Sequence, residues 1–147
     1  MHDFFLELLD YHDKCNNDLF KAFSENQIPE HSNKLLNHLI ITHHVWNHRM
    51  IGEPSNIAIW GEFSLEELRL MNAANMKLTK EILLEKPLTN IIDYKNSKGI
   101  SYQAFVKDII FHLLNHFTYH RAQIATNFRE NGLVPLVSDY IYYKTLA

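Results

Sequence analysis

The chain has 147 residues, of which 46% are apolar, with only four Gly and four Pro. That is the size of one domain with a real core; it is unlike a disordered chain and sparse in turn residues for an all-β protein. Fourteen Lys and Arg against 17 Asp and Glu give a formal net charge of −3 with no basic run, which disfavours nucleic acid as a partner, because phosphate binding needs a concentrated positive face.

The first helical pattern runs over residues 3–24, where Phe5, Leu8, His12, Cys15, Leu19 and Ala22 recur at spacings of three and four. That period marks a helix with one buried stripe. The second runs over residues 32–51, with Ser32 as N-cap after Pro29 and Gly52 and Pro54 as its stop. Leu35, Leu39, Thr42, Val45, Trp46 and Arg49 carry its period.

The third opens on Ser64-Leu65-Glu66-Glu67, a capping-box pattern. It continues to about residue 84, and Pro87 closes it. A polar link over residues 93–99, flanked by Ile91, Ile92 and Ile100, has the form of a small β-hairpin. The fourth helix is expected from about Ser101 to Glu130, stopped by Asn131-Gly132 and Pro135. The apolar and aromatic tail, residues 136–147, is expected to pack back on the bundle or on a partner chain. There is no internal repeat and no dividing linker. Residues 1–147 therefore read as a single all-α domain, a four-helix bundle with a short hairpin or loop before the last long helix.

The single cysteine, Cys15, cannot form an internal disulfide, which suits a reducing compartment. The opening MHDFFLELLD shows no signal-peptide pattern. No apolar stretch approaches the ~20 residues of a membrane span. A cytoplasmic location, with no membrane partner, is the expectation.

Ten histidines are the unusual feature. A lone helical histidine is usually a surface or hydrogen-bonded core residue. His2, His31 and His48 are expected at the surface. His43 and His44 are adjacent, so at most one points inward, and His43 is expected at the surface or, less simply, as an extra ligand.

His112, His116 and His120 differ, because they fall at steps of four on one helix. Each step turns the direction by only ~40°, so the rings share one edge. Imidazoles on an apolar stripe are costly unless paired. A His-x-x-x-His pair is a two-toothed clamp for zinc and similar ions. Spacing alone leaves metal binding and structural histidines equally open. His38, one turn after Leu35 and one before Thr42, is a third candidate from the second helix. Neither Glu-x-x-His nor His-Glu-x-x-His occurs, which disfavours ferritin-like di-iron sites and zincin proteases.

These segments resemble a known family. Asn37-His38-Leu39-Ile40, followed by Trp46, Arg49, Gly52 and Glu53, is similar to the second helix of DinB-like metalloenzymes. His116-Phe-Thr-Tyr-His120-Arg121-Ala122-Gln123 is similar to that family's His-x-x-x-His-Arg-Gly-Gln signature, with Ala122 in place of glycine. The resemblance covers nearly the whole chain. It implies a divalent metal, commonly zinc or nickel, held by His38, His116 and His120, and a homodimer. His12, Thr42, His112 and Asn115 become candidates for the pocket or for support of the ligands. Arg121 is expected to make an ion pair with Asp108 or Asp139, and Trp46 to be core.

Some relatives use the metal to activate a low-molecular-weight thiol for transfer to a small electrophile. The resemblance thus implies a metal-dependent thiol transferase with a small-molecule substrate. The alternative is a non-catalytic metal-binding or stress-response protein. The family name suggests DNA-damage regulation, but nothing in the residues supports DNA contact.

Overall fold

The structure, a computed structural model, describes residues 1–145. It is mostly helical, with a small two-stranded sheet. The long helices are α1 (His2–Glu25), α2 (Glu30–Ile51), α3 (Leu65–Glu85) and α4 (Val106–Glu130). Strands β1 (Ile91–Lys95) and β2 (Ser101–Phe105) precede α4, and a short α5 (Tyr140–Tyr143) lies in the tail. None of the helices is long and apolar enough to cross a membrane.

Helix α2 packs on both α3 and α4, and α1 packs on both as well. The core lies between them, with Leu9, Phe20, Leu36, Leu39, Ile40, Leu83, Leu113 and Phe117 buried. Each such side chain contributes about 1.5–3 kcal/mol through lost water contact. The expected stripes face inward: Phe5, His12, Cys15 and Leu19 on α1 are buried, as are Leu35, Leu39, Thr42 and Val45 on α2.

Two expected helix starts shift. Helix α2 begins at Glu30 after Pro29, so Ser32 is inside it and does not cap it. Its hydroxyl is buried and donates to Asn127 Oδ1 at 2.7 Å, tying α2 to α4. The start of α4 moves from Ser101 to Val106, because Ser101–Phe105 pair antiparallel with Ile91–Lys95. Gly99, with φ of 77°, and the Asn96 side chain, which accepts from the Lys98 and Ile100 N–H groups, build the turn of that hairpin.

The capping box of α3 forms as expected. Ser64 Oγ accepts from the Glu67 N–H at 3.2 Å, and Glu67 Oε2 accepts from the Ser64 N–H at 2.7 Å. The described part of the tail does fold back: Tyr140 bonds Glu7, the Ser138 carbonyl accepts from Tyr11, and Lys144 pairs with Glu7 at 3.0 Å. Residues 146–147 lie outside the described residues.

Candidate metal centre

Helices α2 and α4 bring His38, His116 and His120 together. One ring nitrogen from each lies within 4.8 Å of the other two. None of the three is exposed. Ring centroids stand 4.4 Å apart for His116 and His120, and 4.8 Å for His38 and His120.

Two of the rings have their orientation fixed from behind. The Ile59 carbonyl lies 3.3 Å from His38 Nδ1, and a carbonyl can only accept, so His38 donates from Nδ1. The Gln123 side-chain oxygen lies 2.7 Å from His120 Nδ1 and fixes that ring the same way. Both rings are left with Nε2 as a bare lone pair, the tautomer a metal ligand needs. His116 Nε2 faces His38 Nε2 at 3.3 Å, and the buried His116 Nδ1 has no partner.

Electrostatics favour the neutral form of two of the rings, His116 and His38. Burial, and then the neighbouring rings His120 and His38, push His116 down to about 3. Burial likewise lowers His38. Converging neutral nitrogens with no acidic partner suit a divalent ion, which takes deprotonated imidazole. The donor set therefore fits the group.

The loop between α2 and α3 covers His38. Asn37 Oδ1 accepts from the Phe63 N–H at 2.8 Å, anchoring the loop to α2 beside the histidine. Gly61 lets the chain turn back there: a Cβ at that position would stand 3.1 Å from the Ala58 carbonyl oxygen. Trp60 then stacks on His38 with centroids 3.9 Å apart and planes 10° off parallel, although it stays 65% exposed. Sequence reading missed Trp60 and Ile59, because a loop carries no periodicity. Gln123 could have been read, since three residues on from His120 is within reach on a helix face.

The other candidate residues scatter. Thr42 is buried one turn after His38, and its hydroxyl has no partner. His112 is exposed and outside the group of three, edge-on to Trp46 at 5.2 Å and 5.8 Å from His116. His12 and Asn115 line a separate cavity of about 660 Å³ with Tyr11, Arg121 and Ser138, which none of the three histidines borders.

Three expectations are corrected. His43 is fully buried, and its Nε2 lies 2.7 Å from Thr79 Oγ1. Thr79 is placed to donate to Asn47 Oδ1 at 2.8 Å or to the Asn75 carbonyl at 2.9 Å, so it accepts from His43. The α2–α3 interface thus supplies the partner that makes an inward histidine tolerable, and His43 joins neither the surface nor the cluster. His48 is partly buried, its ring 4.1 Å from that of His44 one turn back.

Arg121 is buried and, among the described residues, has no acidic partner. It donates to Ser138 Oγ at 3.0 Å, His12 Nδ1 at 3.1 Å and Tyr11 Oη at 3.0 Å. Asp108 sits more than three turns away on α4, roughly 20 Å along the helix, and Asp139 is exposed at the start of α5.

The family model described as DinB family matches residues 4–147, nearly the whole chain. The chain belongs to the DinB family. No curated protein matches it. The three-histidine cluster of this DinB protein fits metal binding.

Proposed function

We propose that this DinB protein is a metal-dependent transferase that moves a low-molecular-weight thiol onto a small electrophile. The observation that carries the reading is the convergence of His38, His116 and His120, with no fourth histidine, cysteine or carboxylate in the group among the described residues. A closed structural site takes four protein ligands, whereas three leave a place for a reactant. A four-helix bundle, folded as a single domain, is the scaffold of this reading.

His38, His116 and His120 would hold the ion, zinc or nickel by the family resemblance. A bound divalent ion supplies charge that favours thiolate over thiol, and thiolate is the nucleophile. The chain's residues do the rest. Gln123 and the Ile59 carbonyl hold the ligand rings in one tautomer. Trp60 covers one face of His38 and keeps water from it. Among the described residues the buried histidines His12 and His43 are engaged elsewhere and no acidic group joins the three, so plain hydrolysis is less well served.

The test is the metal content of untagged protein beside His116→Ala and His120→Ala variants. About one equivalent of a divalent ion, lost in both variants, supports the site and opens a screen of thiol transfer to electrophiles. Wild-type protein that is metal-free and refuses added metal overturns the reading. Metal bound by a site that takes no thiol would favour the non-catalytic alternative.

A further inference from the structure

Arg49 lies on the same face of α2 as His38, three turns on, roughly 16 Å along the axis. Its guanidinium carbon sits 4.5 Å from the Trp46 ring centroid and 5.3 Å from that of Tyr94. Trp46 touches His112 edge-on at 5.2 Å, and His112 stands 5.8 Å from His116. An unbroken run of rings therefore leads from the three-histidine cluster to this arginine.

What the arginine lacks is an anion. Lys14, Lys34, Lys80 and Lys144 each have a carboxylate within 3.0 Å. Arg49 has none among the described residues, and its guanidinium donates no hydrogen bond there either. It is nevertheless partly buried. Rings over a guanidinium satisfy its faces and leave its in-plane N–H groups free. A withdrawn cation with open donors, linked to the three histidines by that run of rings, is arranged to receive a planar acceptor.

We propose that Arg49 is the anion-recognising residue of the site, binding the carboxylate or phosphate oxygens of a small ligand whose reactive end reaches the three histidines. Trp46 and His112 form the wall along which the ligand's body lies. The spacing selects an extended molecule bearing an oxyanion at one end and its reacting group at the other. This rests on the transferase reading above, and it names the chemistry of the molecule that site accepts.

Calorimetric titration of folded, cobalt-loaded protein with 6-mercaptohexanoate, 6-mercaptohexyl phosphate and 6-mercaptohexanol tests the proposal, beside Arg49→Gln and Arg49→Lys. A charge-assisted bidentate pair predicts that one or both anions bind wild type roughly tenfold to a hundredfold tighter than the alcohol. Arg49→Gln is expected to erase that preference and leave the alcohol's affinity unchanged. Arg49→Lys, which keeps the charge and loses the fork, should retain part of it. Whichever anion is preferred identifies the oxyanion. Equal binding of all three by wild type, or an equal loss of all three in Arg49→Gln, overturns the proposal. Hexanoate, which has no thiol, separates the two readings. If it binds metal-free wild type but not Arg49→Gln while the cobalt protein shows no thiolate absorption, the anion site stands and the thiol reading fails.

Discussion

Gln123 Oε1 lies 2.7 Å from His120 Nδ1, one helical turn on along α4. The amide oxygen accepts, so His120 must carry its proton on Nδ1 and present Nε2 to the cluster. Partners of this kind raise ligand basicity and hold the ring still. Gln123→Ala should therefore weaken metal binding about ten- to a hundredfold without removing a ligand. Competition against a chelator of known affinity measures it, and unchanged affinity would show that His120 is oriented by packing alone.

Trp60 and His38 are stacked at 3.9 Å, which places an indole directly against the proposed centre. A paramagnetic ion such as copper or cobalt bound there should quench Trp60 fluorescence strongly. The only other tryptophan, Trp46, touches His112 and not the three histidines. Trp60→Phe is expected to lose most of the quenching and keep the stoichiometry. Full quenching in Trp60→Phe would place the ion nearer Trp46, away from the three-histidine group.

Much of this was legible because helical period is a local property. The stripes of α1, α2 and α3, the capping box at Ser64 and the hairpin around Asn96 follow from residues near one another in sequence. The union of His38 with His116 and His120 joins distant segments; helical position made His38 a candidate, and the resemblance to a family assigned the three as one ligand set. What failed was long-range in the same sense. Nothing near Arg121 in sequence announces Tyr11, His12 and Ser138 as its partners. Nothing beside His43 announces Thr79. Residues 101–105 continue smoothly into α4 and became a strand only because Ile91–Lys95 were there to pair with them.

Thr79 joins His43, Asn47 and Asn75 at the buried interface of α2 and α3. Thr79→Val keeps the shape and removes the hydroxyl, leaving the His43 N–H and the Asn47 oxygen short of a partner. The expected loss is about 1–3 kcal/mol of stability for each group so orphaned. Urea unfolding of the variant measures it. Metal content should be unchanged, because His43 stands outside the three-histidine group. A parallel loss of metal would tie this interface to the site after all.

Acid should destabilise the metal-free protein well before its carboxylates titrate. Burial, then Arg121 and His43, pull His12 down to about 3, and burial with the charge of His44 brings fully buried His43 to about 3 as well. In the unfolded chain both return to about 6.5. Below that value the unfolded state binds protons that the folded state refuses, so stability is intact above pH 6.5 and falls as the pH drops towards 3. Each histidine contributes a slope approaching ~1.4 kcal/mol per pH unit inside that window. Between pH 6.5 and about 5 carboxylates hardly titrate, so urea midpoints there report the histidines. His43→Gln, chosen to keep a donor for Thr79, should lower stability at pH 7 only modestly and flatten the slope by one histidine's share. A wild-type profile flat between pH 6.5 and 5 would mean that these rings gain protons without unfolding, and that the interior around Phe117 is wetter than its packing indicates.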